Sequence, residues 1–164
     1  MSGPVLATGH ACVTCHAASD TDELTAHFDV RHRVFVAEQR IFAGSDRDRH
    51  DDDPRTIHVV GLVDDVVGGA VRLFPLPGAG HRWQGDRLAV LPEHRAHGLG
   101  APLVRYAVRT AGERGGHLMV AHIQLPNVAF FARLGWRRDG DVETYAGLPH
   151  QPMSIDLAGA QASS

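Results

Sequence analysis

The stretch Asp86-Arg87-Leu88-Ala89-Val90-Leu91-Pro92-Glu93-His94-Arg95-Ala96-His97-Gly98-Leu99-Gly100-Ala101 decides how this chain is read. A strand ends near Val90, a turn-rich loop follows from Pro92, and a helix opens at the glycines. Gly98 and Gly100 carry no Cβ, so a ligand can approach the backbone closely. The unpaired N–H groups of the first helical turn and the positive end of the helix dipole favour an anion, and Arg95 adds a cation. Such a loop suits a pyrophosphate. No Gly-Lys-Ser/Thr follows, so it is not a P-loop. The third glycine and the βαβ setting of the dinucleotide fingerprint are also missing. Taken alone, the segment describes an anion site or an ordinary strand–turn–helix.

Reading outward, the elements alternate. His10 to Ala17 is expected as a first strand. Ser19-Asp20-Thr21-Asp22 offers helix caps, and a helix is expected to run to about Gln39 with Leu24, Phe28, Arg31, Val34 and Phe35 on one face. Gly44 to Pro54 is a charged loop. Thr56–Val63 and Val66–Phe74 read as strands joined at Asp64-Asp65, and Trp83–Val90 as the next. A helix spans about Leu99–Arg114 and stops at Gly115-Gly116. His117–Ile123 is a strand, Pro126–Leu134 a short helix, and Trp136–Tyr145 and Met153–Leu157 the last strands, joined through Gly147-Leu148-Pro149. The order β-α-β-β-β-α-β-α-β-β predicts an α/β (α+β) fold, a mixed central sheet of about seven strands flanked by helices. Residues 11–157 are expected to form one domain between flexible ends at 1–10 and 158–164.

The bulk composition narrows the function classes. The chain has 164 residues, 43% hydrophobic and 21% charged, with a formal net charge of −3. A nucleic-acid binder would show a basic excess, and none is visible. No apolar run is long enough for a membrane span, and the N-terminus does not read as a signal peptide, so the cytoplasm is the expected compartment. Cys12-Val13-Thr14-Cys15-His16 matches a haem-attachment pattern. It falls where the first strand should lie, and two cysteines and a histidine fall short of a structural zinc site. No metal or haem is expected.

Arg95-x-x-Gly98-x-Gly100 after a strand resembles the acyl-CoA loop of the GNAT acetyltransferase superfamily. The resemblance runs from about residue 12 to 157. It includes Arg31-His32-Arg33-Val34-Phe35-Val36-Ala37-Glu38-Gln39, His58, Gly68 to Arg72, Phe130-Phe131-Ala132-Arg133-Leu134-Gly135-Trp136 and Gly147 to Met153. Ser45 to Asp53, with Ala121-His122-Ile123-Gln124-Leu125-Pro126-Asn127, also resembles a nitrogen-starvation subgroup of that family.

The resemblance implies an N-acetyltransferase with acetyl-CoA as co-substrate and a small-molecule primary amine as acceptor. The amine must lose a proton, the oxyanion must be stabilised, and the thiolate must leave. By similarity the fourth strand splays from the fifth and CoA sits between them, with the N–H of Val90 toward the thioester carbonyl. Leu88, Ala89, Val90, Arg95, Ala96, His97, Gly98, Leu99, Gly100, Ala101, Asn127 and Phe131 are the implied CoA-binding positions. Asp86 is the first candidate base, since Gln84 and Asp86 share a face by alternation. A carboxylate paired with Arg72 or Arg87 is the structural alternative. Glu38 is a second base candidate, with His58 and His150 after it. Many members carry a tyrosine acid where this chain has Phe131, so solvent or Tyr145 must protonate the thiolate.

Arg31, Phe35, Asp52, Arg72 and His150 are the expected acceptor-binding residues. The Asp/Arg run 47–53 reads either as a solvated loop or as a pocket attracting a cationic amine. Arg31-x-x-Val34-Phe35, the Asp-rich block and Arg72-Leu73 also resemble acyl-homoserine-lactone synthases, which share the core. A non-catalytic acyl-CoA sensor on the same scaffold is a further alternative. Dimerisation is common in such folds, and no segment of this chain decides it.

Overall fold

The computed structural model describes residues 11–158. The expected flexible ends, apart from Ala158, and the expected strand start at His10 lie outside the described residues. β1 is Val13–Ala17, β2 Ile57–Val63, β3 Val66–Pro75, β4 Arg82–Val90, β5 Leu118–Gln124, β6 Arg137–Arg138, β7 Glu143–Tyr145 and β8 Leu148–Asp156. They form one 8-stranded sheet in the order β1-β2-β3-β4-β5-β8-β6, with β7 also on β8. The β4–β5 pair is parallel and every other pair is antiparallel. The helices are α1 Thr21–Arg31, α2 Gly100–Glu113 and α3 Val128–Arg133. Among the described residues, no helix is long and apolar enough to cross a membrane.

Local chemistry explains the joints. Asp20 caps α1 by accepting the N–H of Glu23 at 2.8 Å. Asp64 and Asp65 both hold positive φ, 49° and 68°, as a tight two-residue hairpin turn requires. Ala146-Gly147 does the same between β7 and β8, with φ of 50° and 77°. β8 therefore begins at Leu148, earlier than expected, and Leu148-Pro149 belong to the strand rather than to the joint.

Two further expectations need correction. The helix to Gln39 is α-helical only to Arg31, and His32–Glu38 widens into a π-turn. The wider turn brings Val34 and Phe35 inward together, whereas Leu24, expected on the apolar face, is exposed. The single strand Trp136–Tyr145 is split into β6 and β7. Gly140 turns the chain between them at φ 115°, and its carbonyl accepts Gln151 Nε2 at 2.8 Å.

The sheet has a core on each face. On one side Val30, Val34 and Phe35 pack on Ala70, Ala89 and Leu91. On the other, α2 and α3 bury Leu103, Val104, Ala107 and Phe131 against Val71, Met119 and Ala121. β4 changes register against β3 between Ala70 and Arg72, and Arg87 sits there at φ 54°. This β-bulge turns the consecutive side chains of Asp86 and Arg87 toward the α1 side.

Candidate active site

β4 and β5 pair only at Arg82–Leu118, Trp83–Met119 and Gln84–Val120. Beyond that point β4 stays with β3 and β5 with β8, so a gap opens in the sheet. Leu91 N–H donates to the Gly68 carbonyl at 2.8 Å, in register with the Ala89–Ala70 pair. Antiparallel alternation then turns the N–H and C=O of Val90 toward the open edge. The carbonyl accepts Arg95 Nε at 3.1 Å, and the N–H faces the gap.

The loop beyond is a short 3₁₀ helix, Pro92–His97, closed by Gly98 at φ 71°. α2 begins without a side-chain cap at Leu99, so its first N–H groups are left for an anion. Arg95, Ala96 and His97 are exposed. Leu99 is different: its side chain is buried in the core, so only its backbone can serve a ligand. A Cβ on Gly100 would lie 3.3 Å from Phe130 Cζ, so that glycine also permits helix packing. A Cβ on Gly68 would sit 2.7 Å from the His94 ring, which underlies the loop.

A cleft open to solvent runs through the gap. Its floor on the α2 and α3 side is apolar, with Leu88, Val104, Ala107, Met119, Phe131 and Trp136. Asn127 stands at its rim. Its α1 side is mixed: Phe35, Ile41 and Phe42 form a wall opposite His122, Tyr145 and His150. Ala89 points away into the α1-side core. The gap thus brings Asp86, Leu88, Asn127, Phe131, Phe35, Tyr145 and His150 around one cleft, with the loop 95–101 outside it.

The polar wall carries two oriented imidazoles. Glu143 Oε1 lies 2.5 Å from His122 Nδ1. His150 Nδ1 lies 2.9 Å from the Leu148 carbonyl, to which it can only donate. In both rings Nε2 is left as the proton acceptor of the neutral form. The Tyr145 ring stacks on His122 at 6.0 Å and stands edge-on to His150 at 5.4 Å. Arg87 Nη1 donates to the Tyr145 oxygen at 3.2 Å, which leaves the phenol proton free to be given.

The two expected bases are engaged elsewhere. Both oxygens of Asp86 accept from Arg72, each at 2.7 Å, and Gln84 Nε2 adds a third bond at 3.2 Å. Glu38 lies outside the cleft and is held by Arg95 at 2.8 and 2.5 Å. That arginine keeps the Glu38 carboxyl below its ordinary range. A carboxylate clamped on two oxygens is a poor base, so both are ion-pair partners here.

The Asp/Arg run divides: Arg47, Arg49 and Asp52 are exposed, while Asp48 and Asp51 turn inward into an ion-pair network. Arg31 and Arg72, expected to meet the acceptor, are fully buried. Arg31 donates to Asp46 at 2.7 Å and to Asp51 at 2.8 and 3.0 Å. Arg72 also donates to Asp48 at 2.6 Å, and Arg87 to the Asp46 carbonyl at 3.1 Å. Burial pushes the Asp51 carboxyl up, but His58 and Arg31 outweigh it and hold it well below the ordinary range. Asp52 is exposed and away from the cleft. The network props β3, β4 and the 46–51 loop behind the cleft wall.

Sequence reasoning missed His122 and Glu143 as a pair. Alternation along β5 turns His122 and Gln124 to one face and Ala121 and Ile123 to the other. That pattern was available, but the partner Glu143 lies across β8 and only the fold supplies it. In the Cys12–His16 motif, Val13–Ala17 pair with β2 as β1, and His16 contacts Glu23. Among the described residues, no group of His, Cys, Asp and Glu is placed to hold a metal ion.

Comparison with known proteins identifies the family and the fold. Residues 21–136 match the model of the "Acetyltransferase (GNAT) family". The chain is 29% identical over 140 residues to "Uncharacterized N-acetyltransferase YjcF" of Bacillus subtilis, covering 85% of this chain and 96% of that one. Its fold is that of Escherichia coli ElaA, with TM-score 0.75 at 20% identity over 88% of this chain and 98% of that one. It is also that of the CoA-dependent acyl-homoserine lactone synthase BjaI, with TM-score 0.73 at 18% identity over 93% and 87% of the two chains. The chain belongs to the GNAT acetyltransferase family.

Proposed function

We propose that the protein moves an acyl group, in the simplest case acetyl, from its CoA thioester to the primary amine of a small molecule by direct attack. The observation that carries this reading is the open edge of β4, where the Val90 N–H faces a gap that leads to the uncapped start of α2. The pyrophosphate lies on the amides of residues 96–101 with Arg95 beside it. The Val90 N–H receives the developing oxyanion.

His122, held by Glu143, takes the proton from the amine, and His150 is the alternative base. The freed lone pair attacks the thioester carbon. The C–S bond breaks, and the thiolate is protonated by Tyr145 or by water. Phe131 has no proton to give and serves as apolar floor. The test is release of free CoA thiol from acetyl-CoA across a panel of amines, with His122→Ala alongside wild type. Turnover that falls at least about a hundredfold in the variant supports the assignment. Binding of acetyl-CoA without turnover on any amine would instead favour an acyl-CoA sensor. The buried Arg31–Asp46–Asp48–Arg72 network and the likeness to BjaI favour one second reading, lactone formation. Mass-spectrometric screening for lactone products separates the two.

A further inference from the structure

The α1 side of the cleft carries little free charge. Apart from imidazoles, the charged residues lining the cleft, among the described residues, are Asp86 and Arg87, and both are already engaged. Arg72 takes both oxygens of Asp86. Arg87 donates from Nε and Nη2 to the Asp46 carbonyl at 3.3 and 3.1 Å, and from Nη1 to Tyr145 at 3.2 Å. Its Nη2 also reaches Asp48 Oδ2 at 3.4 Å. A carboxylate entering here would find no free pair of N–H donors, and a polycation no free carboxylate. The side chains on offer are aromatic and aliphatic. The Arg87 guanidinium lies 4.6 Å from the centre of the Phe42 ring, so one side chain touches both Phe42 and Tyr145. Phe42 also stands edge-on to the buried Phe35 at 6.5 Å. These surfaces are open, unlike the packed floor toward α2: Ile41 and Phe42 are half-buried and Tyr145 is 41% exposed.

We infer that the acceptor is an arylalkylamine, a monoamine with an aromatic body and no carboxylate, and that Ile41, Phe42 and Tyr145 select it. This rests on the acyl-transfer reading above. The ring of the acceptor packs against Phe42 and Tyr145, where flat apolar surface meets flat apolar surface. Its amine then reaches His122, whose ring stacks on Tyr145 and whose partner Glu143 puts a negative charge beside it. The bonds made and broken are those already given: the nitrogen displaces the thiolate at the acyl carbon, and the proton it loses goes to His122. An amino acid would bury its carboxylate beside an Arg87 whose donors are taken. Spermidine would bury a further ammonium beside an Asp86 that Arg72 already holds.

The test compares thiol release from acetyl-CoA by the full chain with 2-phenylethylamine, ethylamine, phenylalanine and spermidine. The kcat/KM for 2-phenylethylamine is expected to exceed each of the others by at least about tenfold. Phe42→Ala should lower the ratio of 2-phenylethylamine to ethylamine turnover about tenfold, and Phe42→Tyr should keep it. The ratio is read within one preparation, so a partly unfolded variant does not move it. Faster turnover of phenylalanine or spermidine than of 2-phenylethylamine, or a ratio unmoved by Phe42→Ala, would overturn the aromatic selection and leave the transferase reading intact. Binding of acetyl-CoA without turnover of any of the four amines would overturn both.

Discussion

His27 sets an acid limit on the fold that can be worked out in advance. Its ring is fully buried. Nδ1 donates to the Val59 carbonyl at 2.9 Å, and Nε2 accepts from Arg31 Nη1 at 3.2 Å. One nitrogen donates and the other accepts, which is the neutral tautomer. A second proton would set two donors against each other and place a charge beside Arg31, the hub of the network behind the cleft wall. Burial and that neighbouring guanidinium push the pKa down from 6.5 to about 3. An unfolded chain takes up this proton below pH 6.5, and the folded chain does not until near pH 3. Stability from this group is therefore complete above 6.5 and is lost as the pH falls through the interval. At about 1.36 kcal/mol per pH unit, the loss between pH 7 and pH 5 is about 2 kcal/mol. Asp48 and Asp51 are held low in the fold, but their unfolded value of 3.8 makes them nearly silent above pH 5. The assay is urea unfolding followed by fluorescence of the buried Trp83 and Trp136 at both pH values, in wild type and His27→Gln. The wild type should lose about 2 kcal/mol more than the variant on acidification. Equal losses in the two proteins, or a His27 ring that titrates near 6.5 by NMR in the folded state, would refute the reasoning.

Other outcomes follow from the same geometry. Glu38→Gln frees Arg95 for the pyrophosphate and should tighten acetyl-CoA binding about twofold, an effect that fades in high salt; weaker binding would mean Glu38 helps to hold the donor. Glu143→Gln should lower kcat by about tenfold and shift the pH–rate profile, because His122 loses the carboxylate that orients it; an unchanged profile would remove the pair from the chemistry. Arg72→Met should destabilise the protein by about 3–5 kcal/mol in thermal or urea unfolding, since it removes the buried cation that Asp48 and Asp86 share. Asp86→Asn should act in the same direction, with a loss of about 1–3 kcal/mol that exceeds any loss of kcat; a large kcat loss at full stability would return Asp86 to the role of base.

The glycine-rich loop that opens α2 was legible in the sequence because its physics is local. Glycines, a helix start and an arginine lie within six consecutive positions, 95–100. The alternation of strands and helices was legible for the same reason, since periods of two and 3.6 are properties of neighbouring residues. Long-range pairing was not. Arg31, Arg72 and the aspartates of 46–51 carry the same charges whether they meet solvent, a substrate or one another. Their burial together follows from β3 and β4 meeting the loop after α1. Asp86 could be read as a base or as an ion-pair partner, and only the fold puts Arg72 opposite it in the β3–β4 register. Glu143 and His122 are joined only through β8. The sequence determined which residues could do chemistry and where an uncapped helix start would lie. The tertiary structure decided which carboxylates were already neutralised and which imidazoles kept a free nitrogen at the gap, because ion pairing depends on distances that no spacing along the chain specifies.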